Sequence, residues 1–90
     1  MAMDEWEWLG RLASELGERR PSREEIGTML RLSRRVARGV ERKLAPLSTF
    51  VAGMHVARRT AEGATPDEAL REVERAVTAL APEDAREAAD

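Results

Sequence analysis

Cysteine is absent from the 90 residues, which excludes disulfides, thiolate nucleophiles and every zinc site that needs sulfur. Histidine occurs once, at His55, and a single imidazole among scattered carboxylates offers no metal-ligand set. No apolar run approaches the roughly 18 residues that a membrane span requires. The start, "MAMDEWEWLG", is acidic and short of apolar length, so no secretory signal is expected there. Gly39 and Gly53 stand alone rather than in a phosphate-cradling loop. Serines and threonines fall at helix caps or polar positions, with no general base at a suggestive spacing. These absences point away from catalysis, and toward a cytoplasmic protein that acts by contact.

What is present is charge, unevenly placed. Hydrophobic residues make up 42% of the chain and charged residues 36%, a balance that suits a helix-rich domain rather than a disordered chain. Residues 1–25 hold seven acids and four bases, residues 26–60 one acid and eight bases, and residues 61–90 nine acids and three bases. A basic middle between acidic ends either binds an anion or is neutralised by its own ends. A chain of this length buries only roughly 60–65% of its unfolded surface, so a partner or a second copy would add stability. One domain is expected over residues 1–81, followed by an acidic tail at 82–90.

Four helices are predicted. The first spans about Asp4–Leu16, with Trp8, Leu9, Leu12 and Leu16 on one stripe and Gly17 as its stop. The second opens at "SREE", where Ser22 and Glu25 have the capping-box spacing. Ile26, Met29, Leu30, Ser33, Val36, Ala37, Val40 and Leu44 then recur at helical intervals, within an arc of about 120°. Pro46 is expected to end or kink that helix and to start the third, over about Pro46–Ala61, with Leu47, Phe50, Val51, Met54 and Ala61 inward. Gly63 closes it. Thr65 caps the fourth, with Pro66 at its first position and Leu70, Val73, Ala76, Val77 and Leu80 as its stripe. The expected fold is all-α, a compact bundle of four helices with a proline-marked corner between the second and third.

Arg31, Arg34, Arg35, Arg38 and Arg42 fall opposite the second helix's apolar side, which makes them the candidates for binding an anion or an acidic partner. "EEIGTMLRLSRRV" resembles the entry to a DNA-reading helix-turn-helix, but the apolar phase runs on without the reset that a turn would impose. Nucleic-acid binding through the arginine face is therefore the second reading. Trp6 and Trp8 are interface candidates, one of them expected to pack inward. His55, at the edge of the third helix's stripe, reads as a boundary residue. Gly39, Pro46 and Gly53 read as a structural corner at which helices approach closely.

The stretch "GVERKLAPLSTFVAG" resembles a small actinobacterial domain that occurs alone or fused behind molybdenum cofactor guanylyltransferases. Gly39, Val40, Ala45, Pro46, Leu47, Thr49, Phe50 and Gly53 carry the likeness, which extends from "DEWEWLGRLASELG" to the last helix. Arg38 stands where that family tends to have histidine, and Ala57 where it has a further glycine. The resemblance implies an accessory protein of molybdenum cofactor synthesis or insertion. Its implied partner is the guanylyltransferase or a molybdoenzyme, with contact to molybdopterin or guanine nucleotide phosphates and a homo-oligomer as further expectations. No bound metal and no membrane association are expected.

Overall fold

The computed structural model describes residues 3–82, which form four helices: α1 (Glu5–Glu15), α2 (Arg23–Gly39), α3 (Leu44–Ala61) and α4 (Pro66–Leu80). The all-α bundle expected from the sequence is what forms. The acidic tail lies outside the described residues from position 83 onward.

Local chemistry sets most of the boundaries. Asp4 caps α1 by accepting the Glu7 amide at 2.7 Å. At the start of α2, Ser22 Oγ accepts from the Glu25 amide at 3.1 Å while Glu25 Oε1 accepts from the Ser22 amide at 2.8 Å. Thr65 accepts the Glu68 amide at 3.1 Å, with Pro66 opening α4. Two helices end at glycines in the left-handed region, Gly17 at φ 73° and Gly63 at φ 104°. Around each, the next two amides turn back onto the closing carbonyls, Gly17 to Ser14 and Glu18 to Ala13, Gly63 to Thr60 and Ala64 to Arg59.

The corner differs from expectation. α2 ends at Gly39, and Leu44, expected on its stripe, instead opens α3. Pro46 neither ends α2 nor begins α3; it is the third residue of α3, where its missing N–H is one the helix could not have bonded. Ala45, directly before the proline, is helical and buried. The break falls instead at Val40 (φ −120°, ψ −80°), with the Val40 and Glu41 amides both reaching back to the Val36 carbonyl. Gly39 has the close approach expected of it, because a Cβ there would run into the Pro82 carbonyl. Gly53 does not, since a Cβ there would meet nothing within 4 Å.

The core is built from α2, α3 and α4 and is made of modest side chains. Leu32 and Val36 from α2 meet Ala52 and Val56 from α3 and Ala69, Leu70 and Val73 from α4. Leu32, which the period analysis passed over, is buried, whereas Leu30 and Val40 are exposed. α3 reverses its expected orientation: Ala45, Ala52 and Val56 face inward, while Leu47, Phe50, Val51, Met54 and Ala61 face out. On α4, Leu70 and Val73 are buried as expected, but Ala76 is exposed and Leu80 is 84% exposed. α1 makes only marginal contact with the other helices.

A polar clamp joins α3 to α4. Arg59 donates to both Glu72 oxygens, at 3.0 and 3.3 Å, and Glu62 accepts from its remaining arm at 2.9 Å. His55 Nε2 lies 2.7 Å from Glu72 Oε1, and Arg58 approaches its Nδ1 at 3.3 Å. A guanidinium can only donate, so Nδ1 accepts and Nε2 carries the hydrogen given to Glu72. Arg59 first, and then His55, hold the Glu72 carboxyl down from 4.5 to about 2.

Two predictions follow from this packing. Gly39→Ala should destabilise the fold by about 1–3 kcal/mol through overpacking against Pro82, whereas Gly53→Ala should stabilise it by about 0.5–1 kcal/mol by removing helix-interior glycine. Urea midpoints that moved in the same direction for both would contradict the contrast. For Glu72 the folded value lies below the unfolded one, so its contribution is complete above about pH 4.5 and fades as pH falls toward 2. The stability difference between the native chain and Glu72→Gln should shrink across that window, and a difference constant from pH 5 to 2 would remove the clamp from the account.

Candidate interaction site

The five arginines singled out from the sequence do not form one open surface. Arg31 reaches α4, 3.2 Å from Glu74 Oε1, and also donates to Thr28 Oγ1 at 3.1 Å. Arg35 donates through Nε and Nη2 to the Ala81 carbonyl at 3.3 and 3.0 Å, closing the end of α4 onto α2. Arg34 and Arg38 are exposed on α2. Arg42 lies in the turn beyond α2, off the helical face on which the period placed it. Part of the basic stripe is therefore a strap holding α4.

The tryptophans separate. Trp6 is half-buried, with Arg20 and Arg23 over its ring at 4.7 and 4.5 Å from the centroid. Trp8 is the exposed one, at 53%. Helical angles explain the division, since Trp6, Gly10 and Ala13 share an arc of about 60° that faces the connector after α1. Gly10 leaves room there for the Arg20 guanidinium, and Ala13 is buried. Trp8, Leu12 and Leu16 lie on another arc of about 80°, and all three are exposed.

The connector itself is locked. Arg19 donates to both carboxylate oxygens of Glu25 at 2.6 Å, a bidentate pair that holds the buried Glu25 carboxyl below its ordinary range. Glu25 thus serves both the capping box, which its spacing announced, and the connector, which nothing in the periodic pattern announced.

Two apolar surfaces remain open on the packed core. One is the outer face of α3, where Leu47, Phe50, Val51 and Met54 are each more than half exposed. The other, which shares Leu47 and Val51 with that face, is an open groove of about 580 Å³ between α2, α3 and α4, with Val36, Val40, Leu44, Val77 and Leu80 also among its lining residues. Its few polar side chains are Ser48, His55 and Glu72, and the last two already bond each other. Val40, Leu44, Val51 and Leu80, expected on core-facing stripes, line this groove instead. Among the described residues, no group of three or more His, Cys, Asp or Glu is arranged to hold a metal ion, and no helix is long and apolar enough to cross a membrane.

Neither the curated proteins nor the solved structures contain a match to this chain. A family model does match, over residues 2–89, and by that match the protein belongs to the family described as a domain of unknown function, DUF6457.

Proposed function

We propose that this chain is a non-catalytic, cytoplasmic interaction module that serves synthesis or insertion of the guanine dinucleotide form of molybdenum cofactor in actinobacteria. The observation that carries the interaction reading is the outer face of α3. From Leu44 to Ala57 that helix has no carboxylate, lysine or arginine, and Phe50 on its outer side is 70% exposed. A helix apolar on every side is ordinarily covered on every side, and among the described residues the other helices cover only one side of this one. Exposed Phe, Leu and Met on a rigid helix are anchors for a protein partner. The cofactor context rests on the sequence resemblance, which makes the molybdenum cofactor guanylyltransferase the first partner to test.

The arginine face takes a supporting role. Arg34, Arg38 and Arg42 are exposed and suit acids on the partner or phosphates of molybdopterin or guanine nucleotide. Arg31 and Arg35 bond α4, which is also why the nucleic-acid reading stands behind the protein-partner reading. Calorimetry and pull-down with the cognate guanylyltransferase, with and without guanine nucleotide and molybdopterin, test the proposal. Phe50→Asp and Met54→Asp should each weaken association by at least about 2 kcal/mol while leaving the urea midpoint nearly unchanged. Absence of association in every condition, together with full molybdoenzyme activity in a deletion strain, would refute it.

A further inference from the structure

We infer that two copies of this chain form a symmetric dimer in which the Trp8–Leu12–Leu16 ridge of each α1 fills the apolar groove of the other. This rests on the interaction-module reading only in that both concern contact surfaces; it needs no other protein, and it leaves Phe50 and Met54 on the outside.

The chain carries both halves of the contact. The ridge is exposed although it consists of a tryptophan and two leucines, with Leu9 half-buried beside it. The groove is exposed although it is lined almost wholly by aliphatic side chains. Their lengths agree: Trp8 to Leu16, the C-cap of α1, and the groove wall from Leu32 to Val40, the C-cap of α2, each cover nine positions, about 12 Å of rise.

The chain's own α1 is kept from its own groove. Trp6, Gly10 and Ala13 press the helix to the connector beside the N-terminus of α2, under Arg20 and Arg23, and Arg19 ties that connector to Glu25. The groove opens instead along the C-terminal half of α2. The clamp thus presents the ridge outward and at a distance, where a second copy meets it.

Charge favours the same pairing. α1 and its cap carry Asp4, Glu5, Glu7 and Glu15 against Arg11 alone. At the groove, Arg42 and Lys43 directly precede Leu44, and Arg35 holds Ala81. Two carboxylates are nearby: Glu72 is bonded by Arg59 and His55, and Glu41 and Lys43 offset each other, which leaves Arg42 as the base at that end of the groove. The N-terminus of α3 also has no acidic residue in its first turn and no side-chain cap, so the acids of an incoming α1 complement it. Because the exchange is reciprocal, the contact is made twice and closes on itself rather than growing into a filament.

Analytical ultracentrifugation of the full chain over 1–200 µM should give a dimer. Leu12→Glu on the ridge and Leu80→Glu on the groove should each weaken dimerisation by at least about thirtyfold, with helix content and urea midpoint of the monomer retained. Phe50→Asp should leave the dimer intact, which separates this proposal from the partner reading. The absence of cysteine permits a direct check: a Leu12→Cys chain mixed with a Val40→Cys chain should form a disulfide-linked dimer in far higher yield than either alone. A chain monomeric at 200 µM would overturn the proposal. So would a dimer broken by Phe50→Asp but not by Leu12→Glu, or a double Leu12→Cys, Val40→Cys chain that links only within itself.

Discussion

The inner face of α3 is small, and the rest of the molecule follows from that. Ala52 and Val56, set against Ala69 and Val73 of α4, are small enough for the helices to approach closely, and the core cluster contains no aromatic side chain among the described residues. Close approach favours many short-range dispersion contacts, but it leaves no space for Phe50 or Met54 between the helices, and Leu47 and Val51 line the open groove instead. Those side chains are on the same helix and must go outward. The consequence is a domain whose apolar surface is divided between a thin interior and a broad exterior. A chain of this size has few residues with which to cover both.

The connector after α1 imposes the second constraint. Arg19 and Glu25 form a bidentate pair, and Arg20 and Arg23 bracket Trp6, so one short segment holds α1 by a face that contains none of its leucines. Glu25 accepts from Arg19 and from the Ser22 amide together, which makes the start of α2 and the path of the connector one bonded unit. α1 thus carries two distinct arcs, one engaged by the connector through Trp6 and one, Trp8–Leu12–Leu16, left exposed.

Much of this was legible in the sequence, and the limit has a physical cause. Caps and stops are local chemistry: Ser22 with Glu25, Thr65, Gly17 and Gly63 each act within about one helical turn, and each stands where the sequence placed it. Orientation is not local. α2 shows its buried side because arginine marks the opposite one, and even there the centre of burial shifts toward Leu32 and Thr28 because Arg31 and Arg35 are drawn to α4. α3 carries no such marker between Leu44 and Ala57, so choosing the larger side chains as core selected the wrong face. Gly53 was misjudged for the same reason: on the inner face it would have needed its missing side chain, but it lies in open space. The corner escaped because Pro46 is conspicuous and the break is made elsewhere, by the Val40 backbone beside a Gly39 pressed to Pro82.

The charge pattern shows how a correct sequence feature leads to a different site. The basic middle and acidic ends are real, and the structure brings the middle onto the C-terminal segment at Arg31–Glu74 and Arg59–Glu72. The pairs that involve α4 fasten its outer edge to α2 and α3, at Glu74 and Glu72, and Arg35 adds the Ala81 carbonyl. Fastening α4 by its polar edges leaves the apolar strip through Val77 and Leu80 facing the groove rather than closed over it. The arginines thus act less as a binding surface than as the frame that keeps one open. An isolated salt bridge between exposed groups is worth little by itself, but several of them at the ends of a thin core decide which surface the helices present.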